Sequence, residues 1–174
     1  DLESFLLSKE IYWPMANLKL NRLTNQRLTL GEMLISLRRA EALALPDDKT
    51  SEVTSLRSQI DHVKHLWEVH WKAKASAEFS QRLRLWQNYL QDYFQEPGDY
   101  FRDYVREVER RAILEILAEQ AGADLPAEAR VRLDREDRIL QVRFQEGPFI
   151  WDQAYAAAFP CEPFWFLYGS LPSH

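Results

Sequence analysis

The sequence predicts a mainly α-helical protein, a helical bundle of four to six helices that forms a single domain over residues 1–174. Three observations support this fold class. Residues 51–95 contain neither proline nor glycine, the two residues least compatible with a helix interior. Apolar residues recur at helical spacing in this stretch and again over residues 100–121. Thr29, with Glu32 three positions later, has the capping-box pattern that begins a helix.

The N-terminal part of the chain predicts two helices. A short apolar helix is expected at residues 2–8, followed by an irregular stretch at residues 12–26. The helix that starts after Thr29 ends before Pro46, because proline cannot continue the helical hydrogen-bond ladder. Basic side chains late in this helix suit the negative end of the helix dipole. They are Arg38 and Arg39.

The long stretch at residues 51–95 predicts a helix that must bend. A straight helix of this length would measure about 67 Å, whereas a compact chain of this size is about 40 Å across. Its apolar residues form two faces rotated by about 100° from each other, and the small-residue segment "AKASAE" separates them. The first face comprises Val53, Leu56, Ile60, Val63, Trp67 and Trp71, and the second comprises Phe79, Leu83, Trp86, Leu90 and Tyr93. We therefore expect a kink near residues 74–80.

In the last third of the chain, apolar residues recur at helical spacing in one segment and at alternate positions in the next. A helix is expected at residues 100–121, capped by Gly122. Apolar residues then alternate with arginine and glutamine, which favours a short β-hairpin at about residues 130–144 over the alternative, a continuous charged helix. A helix at residues 148–159 precedes an extended tail.

Several functional classes are excluded by composition. No apolar run approaches the 18 residues of a membrane span. The net charge of −5 gives no electrostatic reason to bind a nucleic-acid backbone. A single cysteine, Cys161, cannot form an internal disulfide and indicates a reducing compartment, most simply the cytoplasm. The five glycines are too far apart for a phosphate-binding loop.

Three of the four histidines lie in the segment "DHVKHLWEVHW", residues 61–71. None of the three pairs has the i, i+4 spacing that presents two metal ligands on one helix face. Asp61, His65 and Glu68 do share an arc of about 60° with Lys72. They are the candidate metal ligands, and the competing interpretation is a solvent-exposed ladder of opposite charges, so no metal and no cofactor are expected.

Inward-facing carboxylates form a second candidate group. Glu78 continues the first apolar face, and Glu115 and Glu119 would point inward if their helix ran straight. The chain has no Glu-x-x-His spacing, which di-iron bundles require. We therefore expect the apolar stripe to drift and to leave Glu115 and Glu119 at its edge.

Aromatic residues supply the remaining candidates. A pocket could be lined by Trp67, His70, Trp71, Trp86 and Tyr89. The C-terminal segment, about residues 145–174, is so rich in aromatic residues that it must be buried, either on its own bundle or on a partner.

These features favour a non-enzymatic interaction or scaffold protein that acts as a homodimer. The reason is that residues 51–95 have apolar surface on two sides, since Leu66 and Val69 lie opposite the main stripe. The alternative is a small-ligand-binding or metal-dependent helical-bundle enzyme that uses Asp61, His65 and Glu68 beside the aromatic pocket. The expected partner is a second copy or another protein, not nucleic acid or a membrane.

Overall fold

The computed structural model describes residues 2–11 and 28–174 and confirms the mainly α-helical class. The irregular stretch expected at residues 12–26 lies outside the described residues. Short 3-10 turns at Phe101–Asp103, Gly122–Asp124, Gln153–Ala158 and Trp165–Leu167 connect the helices and strands. In chain order the described elements are α1 (Leu2–Leu7), α2 (Leu30–Ala42), α3 (Asp47–Leu66), α4 (Glu68–Gln95), α5 (Pro97–Tyr100), α6 (Tyr104–Ala121), α7 (Ala127–Gln141), β1 (Gln145–Phe149), α8 (Cys161–Phe164) and β2 (Tyr168–Ser170).

Helix α6 is the centre of the bundle. Eleven of its 18 residues are buried, and it packs chiefly along α4 and also against α2. The approach of α2 is close at Gly31, where an added Cβ would lie 2.3 Å from Ile113 Cγ2 and 2.7 Å from Glu78 Oε1. Any larger residue at position 31 would therefore push α2 away from both neighbouring helices.

The predicted capping box begins α2. Thr29 Oγ1 accepts a hydrogen bond from the Glu32 amide at 3.2 Å, and the Glu32 carboxylate accepts one from the Thr29 amide at 3.2 Å. Two of the backbone donors at the helix start are thereby satisfied.

The long helix is interrupted, but not where the sequence predicts. The break is at Trp67, whose φ of −119° and ψ of 33° separate α3 from α4, and the kink expected at residues 74–80 is wrong. The small residues there do not weaken the helix, because alanine has the highest helix propensity. Ala75 is also buried, so tertiary packing holds that turn in place.

The position of the β-hairpin is wrong too, although a small antiparallel sheet exists. Residues 130–144 lie mostly in α7, whose buried residues are spaced by four, three and four positions, as a helix requires. They are Ala129, Leu133, Glu136 and Leu140. Val131 and Val142, which suggested alternation, are 62% and 76% exposed. The sheet instead pairs β1 with β2, with Gln145 opposite Ser170.

The C-terminal segment folds back on its own bundle. Phe159, Phe164 and Phe166 are 0%, 1% and 0% exposed, and successive rings meet edge to face with centroids 5.2 Å and 6.0 Å apart. The buried Tyr104 hydroxyl of α6 donates a 2.7 Å hydrogen bond to the Phe166 carbonyl. Of the helix expected at residues 148–159, only the 3-10 turn Gln153–Ala158 forms. The aromatic tail is thus part of the core.

We expect a chain truncated after Phe159 to be unfolded. The deletion removes four buried side chains, Phe164, Phe166, Leu167 and Leu171. Loss of a buried phenylalanine costs roughly 3–5 kcal/mol and of a buried leucine roughly 2–5 kcal/mol, whereas a typical domain has roughly 5–15 kcal/mol in all. Circular dichroism during thermal unfolding measures the effect. The control is a chain that lacks only the exposed residues 173–174. If the chain truncated after Phe159 melts like this control, the aromatic tail is not part of the core.

Candidate functional site

The histidine segment lies on the outside of the α3–α4 junction. His62, His65 and His70 are all exposed, and the His70 ring meets the half-buried Trp67 ring edge to face, with centroids 5.6 Å apart. The three imidazoles therefore face solvent along α3 and the first turn of α4.

The structure arranges the candidate metal ligands as part of a charged surface. Asp61, His65 and Glu68 are exposed, and the Glu68 carboxylate is 2.5 Å from the Lys72 ammonium. The hydrogen bond from Lys72 lowers the pKa of Glu68. Within residues 2–11 and 28–174, no group of three or more His, Cys, Asp or Glu side chains has an arrangement that holds a metal ion.

The five residues of the expected aromatic pocket are spread from the break at Trp67 along α4. Trp71 is fully buried, and its indole N–H donates to the Gln120 side chain of α6 at 3.1 Å. Trp86 stacks on Tyr89 with a centroid distance of 5.5 Å. These two groups are separated by 15 residues, about 22 Å along the helix. They pack in different layers of the core and do not line one pocket.

Three of the eight large apolar side chains that are exposed in the described residues lie on α3 and at the start of α4. Ile60 is the one buried residue among the 20 that form α3, all of which the structure describes. Leu56, Leu66 and Val69 are 48%, 56% and 76% exposed. Because the apolar stripe of a bundle helix is normally covered by its neighbours, this surface is the first candidate functional site.

A cleft between α2, α3, α6 and the Gln153–Ala158 turn is the second candidate. Its volume is about 520 Å³, within the usual range for small-molecule pockets. Apolar side chains of Leu34 and Ile116 line it together with the charged side chains of Arg38 and Arg57. Sequence reasoning did not identify this cleft, because its residues come from four separated segments.

Among the described residues, the most deeply buried cation is the Arg111 guanidinium on α6, 3% exposed. It donates two 2.8 Å hydrogen bonds to the Asp137 carboxylate of α7 and one of 2.9 Å to Glu115, and its guanidinium lies 4.4 Å from the centroid of the Phe166 ring. Burial opposes the charge, but the hydrogen bonds and charges of both carboxylates outweigh it and raise the pKa of Arg111. These contacts join α6 to α7 and to the C-terminal segment.

A second buried network secures the start of α2. Glu78 is 1% exposed and accepts hydrogen bonds from the Gly31 amide at 3.0 Å and from Arg82 at 2.6 Å. Arg82 also donates to Thr29 Oγ1 at 2.8 Å and to Glu32 at 3.2 Å. Glu78 thus points inward, as its place on the first apolar face predicts, but it binds the backbone of α2.

The other inward carboxylates follow the expected drift of the stripe. Ile113, Ile116 and Leu117 are buried, Glu119 is exposed, and Glu115 lies at the boundary, where it pairs with Arg111.

Comparison with known proteins supplies no relative. No protein family, curated protein or solved structure matches the chain. None of the helices that the structure describes is long and apolar enough to cross a membrane.

We expect Asp137→Ala to destabilise the fold by roughly 3–5 kcal/mol, because it leaves the buried Arg111 charge without its main partner. Glu115→Ala is the matched control and should cost about 1 kcal/mol or less, since Glu115 is more exposed and supplies one hydrogen bond. Urea unfolding at neutral pH measures both. Equal losses for the two variants would show that Asp137 is not the principal counter-ion.

We expect His65→Ala to change the free energy of unfolding by less than about 0.5 kcal/mol, as is usual for exposed side chains. Atomic-emission analysis of the purified protein before and after zinc exposure gives the metal content. A surface ladder predicts no stoichiometric zinc in either protein. Zinc bound one to one by the native chain and lost in the variant would establish the alternative metal site at Asp61, His65 and Glu68.

Proposed function

We propose that the protein is a non-enzymatic interaction or scaffold protein that acts as a homodimer through α3. The contact surface, called here the α3 face, consists of the exposed Leu56 and Leu66 on α3 and Val69 at the start of α4. The observation that carries the proposal is the exposure of this apolar surface on a helix with one buried residue. Such a surface normally marks a site of protein contact.

Charge on the α3 face favours a second copy as the occupant. Leu56 and Leu66 lie within an arc of about 80° on α3, and the other residues of that arc between positions 56 and 66 are the half-buried Val63 and the uncharged Gln59. Although the chain carries a net charge of −5, two copies would meet here without like charges opposed.

The acidic N-terminal turn of α3 favours an antiparallel arrangement. Asp48 and Glu52 occupy the same arc at that end of the helix. In an antiparallel pairing centred on Val63, these acids of one copy would lie more than about 30 Å from those of the other, well beyond the Debye length of about 8–10 Å. A two-fold axis perpendicular to α3 produces this arrangement from identical surfaces.

The extent of the α3 face indicates a reversible dimer. Helix α3 is about 30 Å long, and one face of a single helix covers less than the roughly 800 Å² per partner of a standard stable interface. We therefore expect dissociation in the micromolar range rather than an obligate dimer.

We also propose that the protein works in a reducing compartment. Cys161 is free and exposed, which suits a reducing environment such as the cytoplasm. A membrane or nucleic-acid partner has no support in the net charge of −5.

We expect Leu66→Glu and Val69→Glu each to weaken self-association at least about tenfold, because a carboxylate would lose its water in the apolar contact. Sedimentation velocity over a wide range of protein concentrations measures the dimer fraction. Matched controls are Val131→Glu on α7 and Val142→Glu directly after α7, whose parent side chains are 62% and 76% exposed, against 56% for Leu66 and 76% for Val69.

The controls should associate like the native chain. A native chain that stays monomeric at the highest concentration, or controls that weaken the dimer as much as the α3 variants, would refute this surface.

A further inference from the structure

The cleft between α2, α3, α6 and the Gln153–Ala158 turn has an apolar wall. Leu34 of α2 and Ile116 of α6 line it together with Ala157 and Pro160 from the C-terminal segment. Its volume of about 520 Å³ accommodates a small organic molecule. The apolar wall gives such a molecule a surface on which to bury a hydrocarbon body.

Arg38 brings a pre-positioned cation to this cleft. Its Nε donates a 2.7 Å hydrogen bond to the Ala158 carbonyl, and its guanidinium lies 4.8 Å from the Phe164 ring centroid and 5.5 Å from that of Phe159. These contacts fix the side chain before any ligand arrives. Neither Nη atom donates a hydrogen bond to any residue in the described ranges. The Nη edge therefore retains its N–H donors for a bidentate acceptor.

The second arginine of the cleft is already neutralised. Arg57 donates two hydrogen bonds of 2.7 Å to the Glu41 carboxylate. The hydrogen bond from Arg57 lowers the pKa of Glu41, and the nearby charges of Arg57 and Arg38 lower it further, so Glu41 is ionised at neutral pH. Arg57 thus has its counter-ion, and Arg38 is the cation with unused donors.

The charge balance determines which anion fits. Two arginines and two carboxylates, Glu41 and Glu119, line the cleft. A doubly charged phosphate would meet both carboxylates at short range, whereas a carboxylate ligand adds one negative charge and matches the planar fork of Arg38.

We propose that this cleft binds a small amphipathic monocarboxylate, with the carboxylate on the Nη edge of Arg38 and the hydrocarbon body on Leu34 and Ile116. Neither the shape nor the charge of the cleft depends on a second copy, so this site is independent of dimerisation through α3.

Isothermal titration calorimetry of the full chain with octanoate tests the site. Octanoate should bind one to one, and 1-octanol, with a similar hydrocarbon chain but no charge, should bind at least about tenfold more weakly, as expected for a charge-assisted hydrogen bond. Inorganic phosphate should not compete. Equal affinity for octanoate and 1-octanol, competition by phosphate, or no octanoate binding would each overturn the proposal.

Two variants locate the binding. Arg38→Gln removes the cation and Ala157→Phe fills the cleft from an exposed position, and each should weaken octanoate binding at least about tenfold. Arg102→Gln is the control, because this exposed arginine stacks on Phe101, with 5.4 Å to the ring centroid, and does not line the cleft.

Arg38 also holds the Ala158 carbonyl, so its replacement has a structural effect of its own. If Arg38→Gln does not fold, Ala157→Phe decides the question alone. Octanoate binding that persists unchanged in a folded Ala157→Phe protein would refute the site.

Discussion

The fold depends on one buried charge. Arg111 lies near the middle of the central helix α6 with its guanidinium almost wholly removed from water. An unpaired charge in that position would cost several kcal/mol. Asp137 of α7 and the Phe166 ring of the C-terminal segment supply the contacts that make the charge tolerable. The same guanidinium therefore fixes where α7 and the tail pack on α6.

Other arginine and lysine side chains also attach distant segments of the chain to the bundle. Arg38 and Arg39 of α2 stack on aromatic rings of the C-terminal segment, and Arg39 also pairs with Glu109 of α6 at 2.7 Å. The buried Lys74 ammonium binds the carbonyls of Ser8 and Glu10, which attaches the described N-terminal segment to α4. Such contacts join distant parts of the chain, whereas α3 is attached through one buried residue, Ile60, through the half-buried Val53 and Val63, and through the Arg57–Glu41 pair. The uncovered α3 face is the consequence.

Local signals predicted the helices, and long-range partners did not follow from sequence. The capping box at Thr29 and the C-terminal Gly122 are read within a few residues, and both mark true helix ends. The partners Arg111 and Asp137 are 26 positions apart, and no periodicity connects them. The break at Trp67 also lacked a signal, because no proline or glycine is present and tertiary packing determines where the helix bends.

The candidate sites likewise include one feature that a single helix determines and one that depends on distant parts of the chain. Exposure of Leu66 and Val69 was predicted correctly, since it required only the rotation of residues around one helix. The cleft at Arg38 was missed because α2, α3, α6 and the C-terminal segment all contribute to it. Its arginine resembled an ordinary residue near a helix C-terminus, which is a frequent position for a basic side chain. Only the stacking on Phe159 and Phe164 distinguishes it.

We propose that a partner covers α3 in the described bundle. Amide hydrogen exchange, followed by mass spectrometry at low and high protein concentration, tests it in the native chain. Contact between two copies should slow local opening, so amides of α3 and of the first turn of α4 should gain protection as concentration rises, while those of α6 stay unchanged. Protection of α3 that does not depend on concentration would contradict contact between two copies at this helix.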